Sequence, residues 1–227
     1  MIYLSLETSS QICASALTDD ELLIAEHRTN IRNIHSAQLY PMIRDLLKSV
    51  SIEMQKVQAI AVSTGPGSFT GLRIGLSAAK GLAMGLGIPI IGVPTLQGLA
   101  THAPLKDGII CTLIRARADE YYVALYSREN FKDSLLRDIE IQSPAKLLET
   151  IPDGACLIGH IDQLAEIKTF QKRFLFAPSE HNLLSAFSVA RIACNKFRHG
   201  DIEDVHSLEP MYHQQFIAGK PKKVVTL

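Results

Sequence analysis

Residues 59–75 constrain this chain more than any other stretch. Ala59-Ile60-Ala61-Val62-Ser63-Thr64 is an apolar strand, Gly65-Pro66-Gly67-Ser68 a turn, and Phe69-Thr70-Gly71-Leu72-Arg73-Ile74-Gly75 the start of a helix. A continuous apolar strand of this kind belongs in a parallel sheet covered on both faces. The turn delivers backbone N–H groups to a helix N-terminus, a natural place for an anion. From Gly71 to Leu86 the only charges are Arg73 and Lys80, on one stripe. Gly71, Gly75, Ala79 and Ala83 form a ridge of small residues, and Gly81 and Gly85 lie on another. A helix this apolar needs cover on nearly every side. Its own sheet can cover one side; a partner protein is expected on the other.

The flanking patterns extend this unit. Ile2 to Leu6, Ile12 to Leu17 and Leu22 to Arg28 read as an antiparallel meander, with Asp19-Asp20 as a turn. Leu39, Met42, Ile43, Leu46, Leu47 and Val50 follow helical spacing, with Pro41 tolerable only near the first turn. Ile88 to Val93 supplies a further strand. From about Thr101 a similar order begins again. Ile109–Ile114, Tyr121–Ser127 and Leu135–Gln142 are strands. Ser143-Pro144 opens a helix to about Ile151, Ala155–Gly159 is a buried strand, and Asn182–Phe197 is a helix with Gly200 past its end. This predicts an α/β chain of two lobes, residues 1–100 and 101–204, the first completed by part of 205–227. Two such lobes suggest the duplicated ribonuclease H-like fold of actin-like ATPases and sugar kinases (the ASKHA group).

With 227 residues, 47% of them hydrophobic, the chain can bury about 70% of its unfolded surface. Lys+Arg 23 balance Asp+Glu 23, so a stand-alone nucleic-acid binder is not expected. Cys13, Cys111, Cys156 and Cys194 lie far apart in apolar surroundings and read as buried free thiols of a reducing cytosol. The N-terminus lacks a basic signal-peptide region, and the stretch Leu82 to Val93 is too short to span a membrane. A cytoplasmic protein is expected. The basic Lys220-Pro221-Lys222-Lys223 reads as a frayed tail, with an RNA contact as the alternative.

The candidate chemistry is sparse. The turn has no Walker A sequence, and Gly71 falls one residue late for the dinucleotide fingerprint. Phosphate contact at Glu7, Thr8, Gly65, Gly67 and Ser68 stays open beside a packing role for the same turn. Among the eight histidines no pair has metal-binding spacing on a helix, and Pro210 interrupts the recurrence of His199, His206 and His213. Ser68 directly follows Gly67, which spoils a nucleophile elbow. A protein interface is the stronger expectation. On the first helix it takes His35, Leu39, Met42, Ile43 and Leu46. On the second it takes Phe69, Leu72, Arg73, Leu76, Ala79 and Lys80.

Glu7-Thr8-Ser9, His35-Ser36, Gly65–Gly75 and Ala79-Lys80-Gly81-Leu82-Ala83 resemble the bacterial TsaB (YeaZ) family, most closely over the first hundred residues. Arg117, Glu120-Tyr121-Tyr122 and Pro210-Met211-Tyr212 are weaker landmarks. The resemblance implies a non-catalytic subunit. It would pair with its catalytic paralogue TsaD and the ATPase TsaE, and serve threonylcarbamoyl transfer to tRNA, which it would meet only through the complex. Catalytic relatives carry an H-x-x-x-H metal pair, whose places here are Thr95 and Leu99; neither side chain replaces histidine as a ligand. The family commonly has Asp at the place of Glu7 and Asp-Ala-Arg at Arg115-Ala116-Arg117. The implied chain holds no metal or nucleotide alone, any ATP or ADP sits at the partner interface, and the free protein can pair with itself. An autonomous ATPase or kinase of the same fold, or a metallopeptidase-like enzyme, is the alternative.

Overall fold

The computed structural model describes residues 1–117 and 119–211. Ala118, Tyr212, His213 and the basic tail lie outside the described residues. The first half contains strands β1 (Ile2–Glu7), β2 (Ile12–Asp19) and β3 (Leu22–Asn30), helix α1 (His35–Ser49), strand β4 (Ala59–Gly65), helix α2 (Phe69–Leu86), strand β5 (Ile90–Pro94) and helix α3 (Thr95–Ala100). The second contains β6 (Gly108–Arg117), β7 (Glu120–Glu129), β8 (Lys132–Gln142), α4 (Pro144–Thr150), β9 (Cys156–Gly159), α5 (Asp162–Ala165), α6 (Lys168–Arg173), β10 (Leu175–Phe176) and α7 (Ala186–Arg198).

The ten strands form two five-stranded sheets, ordered β3-β2-β1-β4-β5 and β10-β9-β6-β7-β8. Read from the meander, both have one pattern. Three antiparallel strands lead, and two parallel strands join the side of the first strand. This is the duplicated ribonuclease H-like, actin-like ATPase arrangement.

Each face has its own cover. Leu4, Leu6, Leu17, Ile60 and Val62 pack against Leu39, Ile43 and Leu46 of α1 and Leu76 and Ala79 of α2. On the opposite face Tyr3, Ala59, Ala61, Ile91 and Val93 meet Val189, Ile192, Ala193 and Cys194 of α7. Helix α7 therefore lies on the first sheet, although it follows the second in the chain. Leu96, Leu99 and Ala100 of α3 join Ile12, Ala14 and Ala16 of β2 to Ile110, Ile114 and Tyr122 of the second sheet. The far face of that sheet is closed by Leu147, Leu164, Phe170 and Phe174. Val205 and Leu208 pack on the first cluster, and the Met211 N–H donates to the Thr64 carbonyl at 2.8 Å.

Boundaries depart from the sequence expectation for physical reasons. Helix α1 begins at His35, so Pro41 lies inside it rather than in the first turn. Ala37, whose carbonyl loses the bond Pro41 cannot donate, is exposed to water. Helix α7 starts at Ala186, not Asn182, because the Ser185 hydroxyl caps the Phe187 N–H at 3.1 Å. Helices α3, α5 and α6 are too short to show a periodicity. The four cysteines are buried and free, as expected. Among the described residues no helix is long and apolar enough to cross a membrane.

Candidate functional site

The glycine turn meets the loop between β1 and β2. Strand β4 ends at Gly65, whose φ of 115° suits glycine. A methyl group at Gly67 would sit 2.2 Å from the Ser9 carbonyl oxygen. One at Gly71 would sit 2.1 Å from the Thr8 carbonyl oxygen, and one at Gly75 2.1 Å from Thr8 Oγ1. These three glycines lie four residues apart and admit the chain's own loop. Hydrogen bonds close the contact. The Ser68 N–H donates to the Ser9 carbonyl at 2.6 Å, Thr8 Oγ1 donates to the Gly71 carbonyl at 2.9 Å, and Ser68 Oγ accepts from the Gly71 N–H at 3.2 Å.

Glu7 lies behind this loop, 1% exposed. Its Oε1 accepts from both the Ser9 N–H and the Ser9 hydroxyl at 2.6 Å. Burial pushes its carboxyl up to about 7, against the opposing pull of the Ser9 bonds. The residues expected to hold phosphate are thus brought together, but they bind one another. A carbonyl oxygen takes the Ser68 N–H, and Thr8 and Ser9 fill the glycine faces. At Gly67, Gly71 and Gly75 the close approach that glycine permits is taken by the chain's own Thr8 and Ser9.

Beside the turn runs a cleft of about 850 Å³ between the two halves. Ser9, Ser10, Gly67 and Ser68 line it from the loop and turn, with Arg32, His35, Ser36, Thr70 and Ile74 from the first half. Ile114, Arg115, His160, Asp162 and Gln163 line it from the second. Arg115 donates its backbone N–H to His160 Nδ1 at 2.9 Å and its guanidinium to Gln163 Oε1. Desolvation of the imidazole, with the Arg115 guanidinium near it, holds His160 below the ordinary histidine value. Sequence reasoning missed His160, Asp162 and Gln163, because only tertiary folding places the end of β9 opposite the β1–β2 loop.

The expected interface residues divide in two. His35, Leu39, Met42, Ile43, Leu46, Leu72, Leu76 and Ala79 are buried within this chain. The small-residue ridge Gly71–Gly75–Ala79–Ala83 faces inward as well. The same spacing that makes an apolar stripe turns most of these side chains onto the chain's own sheet. His35 Nε2 donates to the Ile12 carbonyl at 2.9 Å. Arg73 stacks on the Phe69 ring, 3.9 Å from its centroid, and Lys80 donates to the His206 carbonyl at 3.2 Å. The open face of α2 carries Thr70, Arg73, Ser77, Gly81, Met84 and Gly85, and that of α1 carries Tyr40 and Arg44. Methyl groups at Gly81 and Gly85 would meet nothing within 4 Å.

Thr95 and Leu99 open and nearly close α3, four residues apart and each 1% exposed. Leu99 is hydrocarbon packing between the sheets, and the Thr95 hydroxyl has no hydrogen-bond partner among the described residues.

Comparison with known proteins agrees with this anatomy. The family TsaD, tRNA N6-adenosine threonylcarbamoyltransferase, matches residues 28–221. The tRNA threonylcarbamoyladenosine biosynthesis protein TsaB of Bacillus subtilis (strain 168) is 30% identical over 222 residues, 93% of this chain and 93% of its own length. Its counterpart in Escherichia coli (strain K12) is 29% identical over 228 residues, 97% of each chain. The solved structure of YeaZ from Pseudomonas aeruginosa has a TM-score of 0.79 at 27% identity, covering 93% of this chain and 99% of that one. Two copies of one sheet order, a glycine turn packed on its own loop and a match along nearly the whole chain lead to one assignment: this chain belongs to the TsaB (YeaZ) family of tRNA threonylcarbamoyladenosine biosynthesis proteins.

Proposed function

We propose that this chain is a non-catalytic subunit that docks on TsaD and activates it. In this reading TsaD, with TsaE, transfers a threonylcarbamoyl group from threonylcarbamoyl-AMP to the adenosine beside the anticodon of ANN-reading tRNAs. The observation that carries the reading is the open face of α2. Gly81 and Gly85 leave room for close helix approach, Met84 between them in the chain is 57% exposed, and Tyr40 on α1 is 55% exposed. Thr95 and Leu99 support the non-catalytic half, since neither offers a metal a histidine nitrogen. The alternative of an autonomous ATPase or kinase needs an open phosphate cradle, and Thr8 and Ser9 fill the glycine turn.

The chain by itself holds neither metal nor nucleotide in this reading, and ATP or ADP belongs at the boundary with TsaD. Without TsaD the same helix face pairs with a second copy of this chain. The complex works in the cytoplasm and meets tRNA as a whole. The subunit acts by favouring one arrangement of TsaD through differential contacts.

The test is tRNA modification by TsaD and TsaE with and without this subunit. Turnover is expected to depend on it, and unchanged turnover in its absence refutes the proposal. Gly81→Arg is expected to abolish TsaD binding while leaving thermal stability near wild type, because the position is open. Ala79→Arg, at a buried position, is expected to unfold the chain instead.

A further inference from the structure

Five arginines of the described residues pair with acids: Arg44 with Asp45, Arg117 with Glu120, Arg128 with Asp133, Arg173 with Asp153 and Arg198 with Glu21. Two that line the cleft do not. Arg32, from the first half, donates only to Gln11 Oε1, at 3.4 Å. Arg115, from the second, donates to Gln163 Oε1 and lies 5.9 Å from the Tyr121 ring. Both side chains are exposed, and neither has an acidic partner within salt-bridge distance among the described residues. Asp162 is the one acid among the residues lining the cleft. The remaining lining is hydroxyl and amide rich, which suits carboxylate oxygens.

The mouth of the cleft is also informative. Ser36 belongs to the first turn of α1, and Thr70 and Ile74 to the first turns of α2. The cleft therefore opens at the N-terminal ends of α1 and α2, where Thr70 belongs to the open face of α2, and in the docking reading a protein that extends along that face to this end reaches the cleft. We infer that the cleft receives an acidic segment of the docked protein, whose carboxylates Arg32 and Arg115 hold. This rests on the docking reading and adds the chemistry that orients the partner. Guanidinium and carboxylate match as paired donors and acceptors, replacing neutral amide contacts with charge-assisted ones. An exposed guanidinium holds a free anion weakly, whereas a carboxylate carried on a docked protein has no separate association cost. A free phosphate is disfavoured because the Ser68 N–H, which the glycine turn could offer an anion, is already given to the Ser9 carbonyl.

The experiment measures the affinity of purified TsaD for the full chain at low and high salt. It compares wild type, the double variant Arg32→Gln/Arg115→Gln, the double variant Arg32→Lys/Arg115→Lys, and Gly81→Arg. The Gln pair is expected to weaken binding by about tenfold at low salt and to lose most of the salt dependence. The Lys pair is expected to keep that dependence, which separates charge from folding. Unchanged affinity and salt slope in the Gln pair overturns the inference. If Gly81→Arg still abolishes binding in that case, the docking reading stands; if it also binds as wild type, both fall. Titration of the free chain with inorganic phosphate is expected to give no saturable binding. Saturable binding lost in the Gln pair would replace the acidic segment with a small anion and overturn the inference.

Discussion

Glu7 shows how a single carboxyl can be visible in a sequence and yet have its role set elsewhere. Its carboxyl is pushed up to about 7, from an ordinary value of 4.5, chiefly by burial. The folded chain then holds a proton at Glu7 that the unfolded chain has released between those values. Its contribution to stability is full below about pH 4.5, declines as pH rises toward 7, and is gone above it. Substituting Glu7→Gln removes this loss, while the amide oxygen can still accept from Ser9. The stability of the variant relative to wild type is expected to rise by about 3 kcal/mol between about pH 5 and pH 8, read from urea unfolding at each pH. A difference that does not change with pH would place Glu7 in water. The sequence marked Glu7 as a candidate ligand. That the Ser9 N–H and hydroxyl claim it depends on the path of the β1–β2 loop, which no local pattern encodes.

Helix α2 was legible as an element and ambiguous as a surface. Its sequence places Gly71 and Gly75 on one ridge and Gly81 and Gly85 on another, but does not say which ridge is buried, and the two pairs have opposite roles. Gly71 faces the Thr8 carbonyl, a backbone atom that cannot rotate away, so Gly71→Ala is expected to destabilise by about 1–3 kcal/mol. Gly81 faces open space on the same helix, so Gly81→Ala is expected to stabilise by about 0.5–1 kcal/mol through helix propensity alone. Chemical denaturation of the two variants checks both signs; equal effects would mean that the two faces are not distinct. Within this chain α2 is covered on one side only, by its own sheet and by α1, and the other side is open. Ser77, Gly81 and Gly85 are as content at an open face as Ala79 and Ala83 are against the sheet. Helix α1 carries the complementary lesson. Its apolar spacing located Leu39, Ile43 and Leu46 correctly, but as core rather than interface.

For the whole molecule, the joint between the halves centres on α7. Glu26 of β3 accepts from Ser185 Oγ and the Ala186 N–H at 2.8 Å and from the Phe187 N–H at 3.3 Å, placing a carboxylate on the first turn of α7. Ser5 Oγ donates to the Ala186 carbonyl at 2.7 Å from the middle of the first sheet. Glu26→Ala is expected to cost about 1–2 kcal/mol, and Glu26→Gln less, since its oxygen still accepts. Because α3 and its cluster join both sheets, unfolding is expected to stay a single transition by far- and near-ultraviolet circular dichroism. Two separated transitions in the wild type would show that the halves are energetically independent.

Local physics was enough for much of this protein. Period-two and period-3.6 patterns located the meanders and the long helices. The continuous apolar run of β4 implied a sheet covered on both faces. Ser143-Pro144 and Gly200 marked helix ends through capping chemistry, and the repeated element order implied duplication. Tertiary structure alone decided which face of α2 is buried, because its small residues leave both faces without a charged boundary. It also turned the glycine turn from a cradle into a seat for Thr8 and Ser9, placed α7 on the first sheet, and brought Arg32 and Arg115 to one cleft. Those outcomes depend on contacts between segments tens of residues apart, where spacing along the chain carries no distance information.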